Sequence, residues 1–330
     1  MPQDRRPPRF PPPQFPPHRP KPFARTPPAI FPPILGLMGS VLALRGGFAA
    51  LDWPMAPVDL LTGAVLALWA FSVLAIKVKA LRRPGVLVED MRPIPGRAGL
   101  AAASMSGMAA GALLTPLAPT LALVVLFAAL FAHLVMLAVL GLGLSRLPAD
   151  QREVNPTLHL ALVGFIVAAP PLAQMGWAAT ATTIFWVTLA LALPIWGISL
   201  LQLARRIPPA PLRPLLAIHL APAALLSTTA AKLGLAGLST ALAALGLLIA
   251  LALLAGLRWV TATGFSPMWG AFTFPLAALA TALLAQGGLA GQLGLAVAAV
   301  ALPVNGWIAW RVLKLWPGNR LAQMTNAAEA

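Results

Sequence analysis

The chain has 330 residues, of which 59% are apolar and only 9% are Asp, Glu, Lys or Arg. A soluble domain carries about 25% charged residues, so this composition excludes an ordinary soluble protein and indicates membrane-spanning helices. The net charge of +15 would suit nucleic acid. However, the cations lie in short segments between apolar runs, which argues against a nucleic-acid-binding face. The absence of cysteine excludes disulfides and thiolate chemistry.

The first 28 residues are basic and rich in proline, a composition that favours extended, solvated chain over a packed core. We predict a disordered cytoplasmic tail over 1–28; docking of its charges on anionic membrane lipids is the sharper alternative. The apolar segment that follows has no cleavable-signal pattern, so it is interpreted as a retained first span. Residues 317–330 are predicted to form a short cytoplasmic C-terminal tail.

Ten apolar runs long enough to cross a bilayer occupy residues 29–316. They predict an all-α integral membrane protein with ten transmembrane helices. The predicted spans are 29–45, 57–80, 98–115, 120–145, 157–174, 178–204, 213–231, 236–258, 267–286 and 289–314.

The positive charges follow this topology. Twenty-one of the 23 Lys and Arg residues fall in the tails and in every second loop, and only Arg45 and Lys232 depart from the pattern. Cytoplasmic loops of membrane proteins are enriched in Lys and Arg. The distribution therefore predicts that both termini are cytoplasmic, in a multi-pass protein of the inner (plasma) membrane.

The odd-numbered spans are shorter than the even-numbered ones and contain more glycine and proline. Interrupted helices at corresponding positions indicate a substrate path. The pattern predicts five helical hairpins, with an inner ring of odd helices around a central pore and an outer ring facing lipid. We expect the pore helices to be kinked at Pro33, Pro171, Pro222 and Pro275.

All eight acidic residues lie in tails, in loops or at span ends. This distribution argues against a proton-driven pump, which keeps an acid within the membrane, and against a carboxylate-lined cation channel. We expect no metal site, no cofactor and no enzymatic activity, because the histidines lack metal-ligand spacing. A neutral corridor suited to anions remains. Glu89 and Asp90, among basic loop residues, are predicted to be surface ion-pair partners.

Several small and polar residues are candidates for the pore lining. For the glycine, close helix packing is the favoured interpretation. For the histidines, a protonated ring would attract anions, but a neutral ring bonded to a neighbouring helix is favoured. The candidates are Ser104, Ser106, Gly107, His159, His219, Thr228 and Thr273.

The ninth span carries two phenylalanines, Phe272 and Phe274, around a threonine and directly before Pro275. A kink at this proline would turn one ring into the axis of the inner ring. There it would exclude water and ions until it moved, which is gating by dewetting. Packing in the core is the alternative interpretation for either ring.

Four groups of residues carry a resemblance to a known family. They are Pro-Ala-Ile-Phe-Pro-Pro-Ile-Leu-Gly at 28–36, Glu-Asp-Met-Arg-Pro at 89–93, Asn-Pro at 155–156 before Leu-Val-Gly at 162–164, and the segment 214–222 followed by Trp-Gly-Ala-Phe-Thr-Phe-Pro at 269–275. Over about residues 25–315 the chain resembles the tellurite-resistance and malate-transporter family, which includes the slow anion channels of plant guard cells.

The resemblance implies a homotrimer with one pore per subunit, small anions as the transported species, and a phenylalanine that plugs the pore. Phe274 matches the plug best and Phe272 second. The chain departs from the family at Arg92, where many relatives have histidine. A tellurite-resistance-type anion channel is the expected function, and an alternating-access dicarboxylate (malate) carrier is the alternative.

Overall fold

The structure, a computed structural model, describes residues 21–145 and 154–330, and within these ranges it contains helices and no strands. Residues 1–20 of the predicted tail, and 146–153 with Arg146 and Arg152, lie outside the described residues. The predictions made for them stay predictions.

The described residues form thirteen α-helices, several of which directly follow a 3-10 helix. Short 3-10 helices precede α1, α8 and α11, at Pro28–Ile30, Ala210–His219 and Pro267–Trp269. The helices are α1 (Phe31–Ala50), α2 (Ala56–Arg82), α3 (Val86–Asp90), α4 (Ile94–Leu114), α5 (Pro119–Ser145), α6 (Ala169–Gln174), α7 (Ala178–Arg205), α8 (Leu220–Lys232), α9 (Ala236–Ala255), α10 (Leu257–Val260), α11 (Gly270–Leu284), α12 (Gly288–Leu313) and α13 (Arg320–Met324).

Within the described residues, eight helical segments are long and apolar enough to cross a membrane. They coincide with eight of the ten predicted spans. The predicted span 98–115 corresponds to α4, which begins four residues earlier at Ile94. This helix contains Arg97 together with several glycines and serines, and it is not among the eight.

The predicted span 157–174 is not one continuous α-helix. It consists of a π-helix at His159–Val163, a 3-10 helix at Gly164–Ala168 and the short helix α6. The consecutive prolines Pro170 and Pro171 have no N–H to continue a hydrogen-bonded ladder. In addition, Gly164 lies so close to His133 of α5 that an added Cβ would be 2.7 Å from the ring.

Burial separates the long even-numbered spans from the odd ones. In the 18-residue apolar stretches of α2, α5, α7, α9 and α12, only 22–33% of the residues are buried. In the corresponding stretches that contain α1, α8 and α11, 61–78% are buried. The exposed side chains of the long helices are large and apolar, such as Leu60, Phe131 and Leu200. Such surfaces suit contact with lipid.

The buried segments contact one another in a closed circuit: α1 packs on α4, α4 on the 159–174 segment, that segment on α8, α8 on α11, and α11 on α1. Each also packs on the long helix that follows it. We call 28–50, 94–116, 159–174, 210–232 and 267–284 the odd segments.

The contact between α1 and α11 is the closest in this circuit. A Cβ built on Gly36 would lie 2.2 Å from Cβ of Thr273, so glycine is required for this approach. Asn305 of α12 donates from Nδ2 to Ser40 Oγ and to the Thr273 carbonyl, both at 2.8 Å. One buried amide therefore links three helices.

A buried ion pair joins the chain ends to the loop after α2. Lys79 Nζ lies 2.6 Å from Asp90 Oδ2 and donates to the Thr26 carbonyl at 3.0 Å, and all three side chains are buried. The amide of Ala328 donates to Asp90 Oδ1 at 2.8 Å. Burial raises the pKa of Asp90, and the hydrogen bonds from Lys79 and Ala328 oppose that rise.

Asp90 is therefore not a surface residue, and that part of the prediction is wrong. Residues near both ends of the described chain cover it: Ala330 N donates to the Ala24 carbonyl at 3.0 Å, and Arg25 pairs with Glu329 at 2.5 Å. Glu89 pairs with Arg83 at the surface, as predicted. The hydrogen bond from Arg83 lowers the pKa of Glu89.

Candidate functional site

Two cavities lie one after the other inside the circuit, and residues of the odd segments line both. The first, which we call the uncharged cavity, involves the N-terminal parts of these segments. Its lining residues are Ala29, Pro32, Leu35, Pro95, Ala98, Ala102, Leu160, Leu215, Ile218, Ala221, Pro267, Met268, Gly270, Ala271, Phe274 and Pro275.

The second, which we call the cationic cavity, involves the C-terminal parts of the same segments. Its lining residues are Gly39, Leu42, Arg45, Gly46, Ala49, Ala112, Pro116, Val167, Pro170, Pro171, Gln174, Leu225, Thr228, Lys232, Phe274, Ala278 and Thr281.

Phe274 is the residue that the two cavities share. Its side chain is buried, and the ring lies against α1 where Gly39 leaves room for it. A Cβ built on Gly39 would be 3.0 Å from Cδ2 of the ring. The next residue, Pro275, lies within α11, lines the uncharged cavity and has no N–H to donate. Phe272 lines neither cavity and contacts Trp269 instead, with ring centroids 5.7 Å apart.

The other predicted kink residues occupy different places. Pro171 lines the cationic cavity beside Pro170. Pro222 is the third residue of α8, which directly follows a 3-10 helix, and it lines a small separate pocket. Pro33 is buried in the first turn of α1, and a Cβ on Gly270 would be 3.2 Å from its Cδ. All these prolines occur where the odd segments depart from regular α-helix or begin.

Of the hydroxyl candidates, Thr228 lines the cationic cavity, and its Oγ1 donates to the backbone one turn earlier. Thr273 points to α1 rather than to either cavity, and its hydroxyl lies 3.1 Å from the Pro32 carbonyl. Ser106 is buried and donates within α4. When a helix is apolar on all sides, its sequence does not indicate which face lines a cavity.

The remaining candidates on α4 serve its contact with α5. A Cβ on Gly107 would be 2.8 Å from Cβ of Ala129, so this glycine permits close packing, which was the favoured interpretation. Ser104 Oγ lies 2.7 Å from Nδ1 of His133. The other ring nitrogen of His133 donates to the Ala161 carbonyl at 2.9 Å.

His159 and His219 bond to each other. Nε2 of His159 lies 3.0 Å from Nδ1 of His219, and the Trp196 indole donates to the His219 carbonyl. A hydrogen bond between two imidazoles needs one neutral accepting nitrogen. This geometry agrees with the favoured interpretation of these residues, in which a neutral histidine ring is bonded to a neighbouring helix. His159 lines the small pocket that contains Pro222.

The sequence predicts a neutral corridor, whereas Arg45 and Lys232 both line the cationic cavity, so this space carries charged side chains. These are the two cations that depart from the charge pattern of the sequence. The predicted first span ends at Arg45, but α1 continues to Ala50, which places Arg45 within the helix. Among the described residues, no Asp or Glu lines either cavity.

An all-helical bundle whose long helices expose large apolar side chains has the features of an integral membrane protein. Within the described residues, no three His, Asp or Glu side chains are grouped as metal ligands would be. The class that the fold defines is a multi-pass membrane protein.

Comparison with known families identifies the class further. Residues 25–315 match the SLAC1 family of voltage-dependent anion channels, and the chain belongs to this family. The match confirms the resemblance to the tellurite-resistance and malate-transporter proteins, which are part of it. The family consists of channels and transporters for anions. No curated protein matches the chain.

Proposed function

We propose that the protein lets small anions cross the inner (plasma) membrane down their electrochemical gradient, as a tellurite-resistance-type channel. In this proposal α4 and the 159–174 segment are the third and fifth of ten spans, so the bundle consists of five hairpins. The odd segments enclose the pore, and the long even helices surround them and face lipid.

The position of Phe274 carries the proposal. It is the residue common to two cavities that otherwise have different lining residues, and its ring is 5% exposed. A single side chain thus separates two spaces enclosed by the same five segments. Movement of this ring would join them.

An aromatic ring is a suitable barrier for ions. Water and ions do not occupy a narrow apolar constriction, so a ring across the path prevents conduction until it moves aside. Gly39 provides the space in which the ring now lies, and Pro275 weakens the helix directly after it. Both neighbours give the ring room to change position.

Charge supports anions as the transported species. In the part of the chain that the structure describes, neither cavity has a lining carboxylate, and the cationic cavity has two basic side chains. Walls of low polarity concentrate the field of such charges and raise the local concentration of ions of opposite sign. A cation would meet repulsion at Lys232 and at Arg45, although Asp59 offsets part of the Arg45 charge.

The charge pattern of the sequence supports an orientation with both termini in the cytoplasm, so that the uncharged cavity opens toward the cytoplasm and the cationic cavity outward. The family resemblance favours a homotrimer with one pore in each subunit. The basic residues of the N-terminal tail would then lie near anionic lipid headgroups.

The test is current through purified protein in planar bilayers under a KCl gradient, for the wild type and for Phe274→Ala. We expect Phe274→Ala to raise conductance about tenfold or more, the change that lowering a barrier by about 1.4 kcal/mol produces. The reversal potential should lie near that of chloride. Phe272→Ala, which removes a ring of the same size outside both cavities, is the matched control.

Equal currents from the two alanine variants would remove Phe274 as the gate. A reversal potential near that of potassium would contradict anion transport. Saturable flux that depends on an anion on the opposite side, with no unitary currents, would replace the channel with the alternating-access dicarboxylate carrier.

A further inference from the structure

The two cations that depart from the positive-inside pattern lie in the same cavity although they are far apart in the sequence. Arg45 comes from α1 and Lys232 is the last residue of α8. Two separate segments thus bring isolated positive charges to one space at the end of the proposed path. A basic residue on this side is unfavourable for topology, and such exceptions call for a functional explanation.

Arg45 is fixed from one side only. Its Nη2 donates to Asp59 Oδ1 and lies 3.3 Å from Thr62 Oγ1, both on α2. Its Nε is buried and has no hydrogen-bond acceptor among the described residues. A guanidinium has five N–H donors, and a buried donor without an acceptor is costly. An anion in the cavity would supply the missing acceptor.

Lys232 also has capacity to donate further hydrogen bonds. Its Nζ lies 3.5 Å from Oε1 of Gln174, at the limit of a hydrogen bond, and both residues line the cavity. An ammonium group has three donors. Asp59 pairs with Arg45 but is not itself among the lining residues, so the charged side chains that border the cavity are both basic.

We propose that Arg45 and Lys232 form an anion-binding site in the cationic cavity, which holds a small monovalent anion or monocarboxylate before it passes Phe274. The site rests on the proposed anion path and adds a place where the anion is bound. Asp59 and Thr62 position the guanidinium, and Gln174 positions the ammonium. Charge-assisted hydrogen bonds from both cations would replace part of the hydration of the anion.

The test uses Phe274→Ala as the background, so that the ring no longer limits the current. Conductance is measured against KCl concentration for added Arg45→Gln and Lys232→Gln substitutions. At about 0.01 M salt the screening length is about 30 Å, and at 1 M it is about 3 Å. We expect each substitution to lower conductance about tenfold at low salt and to change it little at 1 M salt, because steering by a charged cleft is worth about tenfold or more.

Asp59→Asn gives a result of opposite sign. Removing this carboxylate frees the Arg45 guanidinium and makes the cavity more positive, so low-salt conductance should rise. If Arg45 served only to hold α1 against α2, Asp59→Asn and Arg45→Gln would change the channel in the same direction. Lys77→Gln, an exposed site on α2, is the matched control and should have no effect on conductance.

The outcomes separate the site from the proposed function. An anion-selective Phe274→Ala channel whose salt dependence is the same with and without Arg45 and Lys232 would overturn the site and leave the function intact. A Phe274→Ala protein that carries no anion current would overturn both. If Arg45→Gln is not recovered as a monodisperse protein, Lys232→Gln and Asp59→Asn decide the question.

Discussion

Two cations of the α1–α2 hairpin each pair with an aspartate, but the two pairs differ in what surrounds them. Asp59 lies near the start of α2 and Lys79 near its end, 20 residues later, which is about 30 Å along a helix. Lys79 and Asp90 have no exposed side-chain surface, whereas 18% of the Arg45 side chain and 41% of the Asp59 side chain are exposed.

The hydrogen-bonding capacity of the two pairs also differs. Both oxygens of Asp90 are occupied, by Lys79 and by the amide of Ala328, and Lys79 has a second acceptor in Thr26. Arg45 keeps a buried Nε without an acceptor, and it borders a cavity. The difference teaches that a cation whose partners are complete stabilises the fold, whereas one with spare donors beside a cavity is available to a ligand.

The largest effect that this comparison predicts is on stability at Lys79. Lys79→Met leaves Asp90 buried without its cation, and breaking a buried pair in this way costs about 3–5 kcal/mol. The melting temperature in detergent should fall clearly. Lys77→Met, on the exposed side of the same helix, should change stability by less than about 0.5 kcal/mol. Equal melting temperatures for the two variants would show that the buried pair is not structural.

A smaller loss is expected when the chain end is removed. Deleting residues 327–330 removes the Glu329 partner of Arg25 as well as the Ala328 amide bonded to Asp90, and a hydrogen bond to a charged group is worth about 1.5–3 kcal/mol. Deleting Ala330 alone leaves this bond and removes only the contact with Ala24, for which we expect about 0.5–1.5 kcal/mol. Thermal unfolding of the two truncated proteins measures the difference. An identical loss for both would contradict the role assigned to Ala328.

The corresponding change at the other pair should affect stability little. Arg45→Gln removes a partly exposed ion pair, which is worth up to about 1 kcal/mol. The same substitution should lower conductance at low salt. At Arg45, therefore, transport should change while stability hardly does, and we expect no such separation at Lys79. A melting temperature that falls as far for Arg45→Gln as for Lys79→Met would erase the distinction between the pairs.

The smallest effect concerns the exposed pair of Arg83 with Glu89. Because Arg83 lowers the pKa of Glu89, the contribution of this pair is present above the ordinary glutamate pKa of about 4.3 and is lost as pH falls through the lowered value. Glu89→Gln should slightly flatten the dependence of melting temperature on pH below that point. If Glu89→Gln leaves the melting temperature at low pH unchanged, the pair contributes nothing to folding.

The sequence was informative about which segments cross the membrane and which lie inside. Long apolar runs marked α2, α5, α7, α9 and α12, because only lipid-facing helices tolerate large apolar side chains on an exposed surface. The family resemblance favoured Phe274 over Phe272, and in the structure Phe274 lines both cavities whereas Phe272 lines neither.

Other features depend on contacts that a linear pattern does not contain. Asp90 lies among basic loop residues and looks solvated until residues near 330 return to cover it. Thr273 lies on an apolar helix whose faces are alike in composition, so its contact with Pro32 was not predictable. Arg45 and Lys232 were visible as exceptions to the charge rule, but only the fold shows that they share a cavity.

The central claim is that Phe274 separates two water-accessible spaces, and single cysteines test it most directly because the chain has no cysteine. Ala271 and Thr281 lie on α11 in the uncharged and the cationic cavity. A membrane-impermeant anionic thiol reagent added outside vesicles should modify Thr281→Cys and not Ala271→Cys. After Phe274→Ala it should modify both, while Leu248→Cys on the exposed face of α9 stays unmodified. Modification of Ala271→Cys from outside with Phe274 in place, or no change when Phe274 is replaced, would contradict the claim.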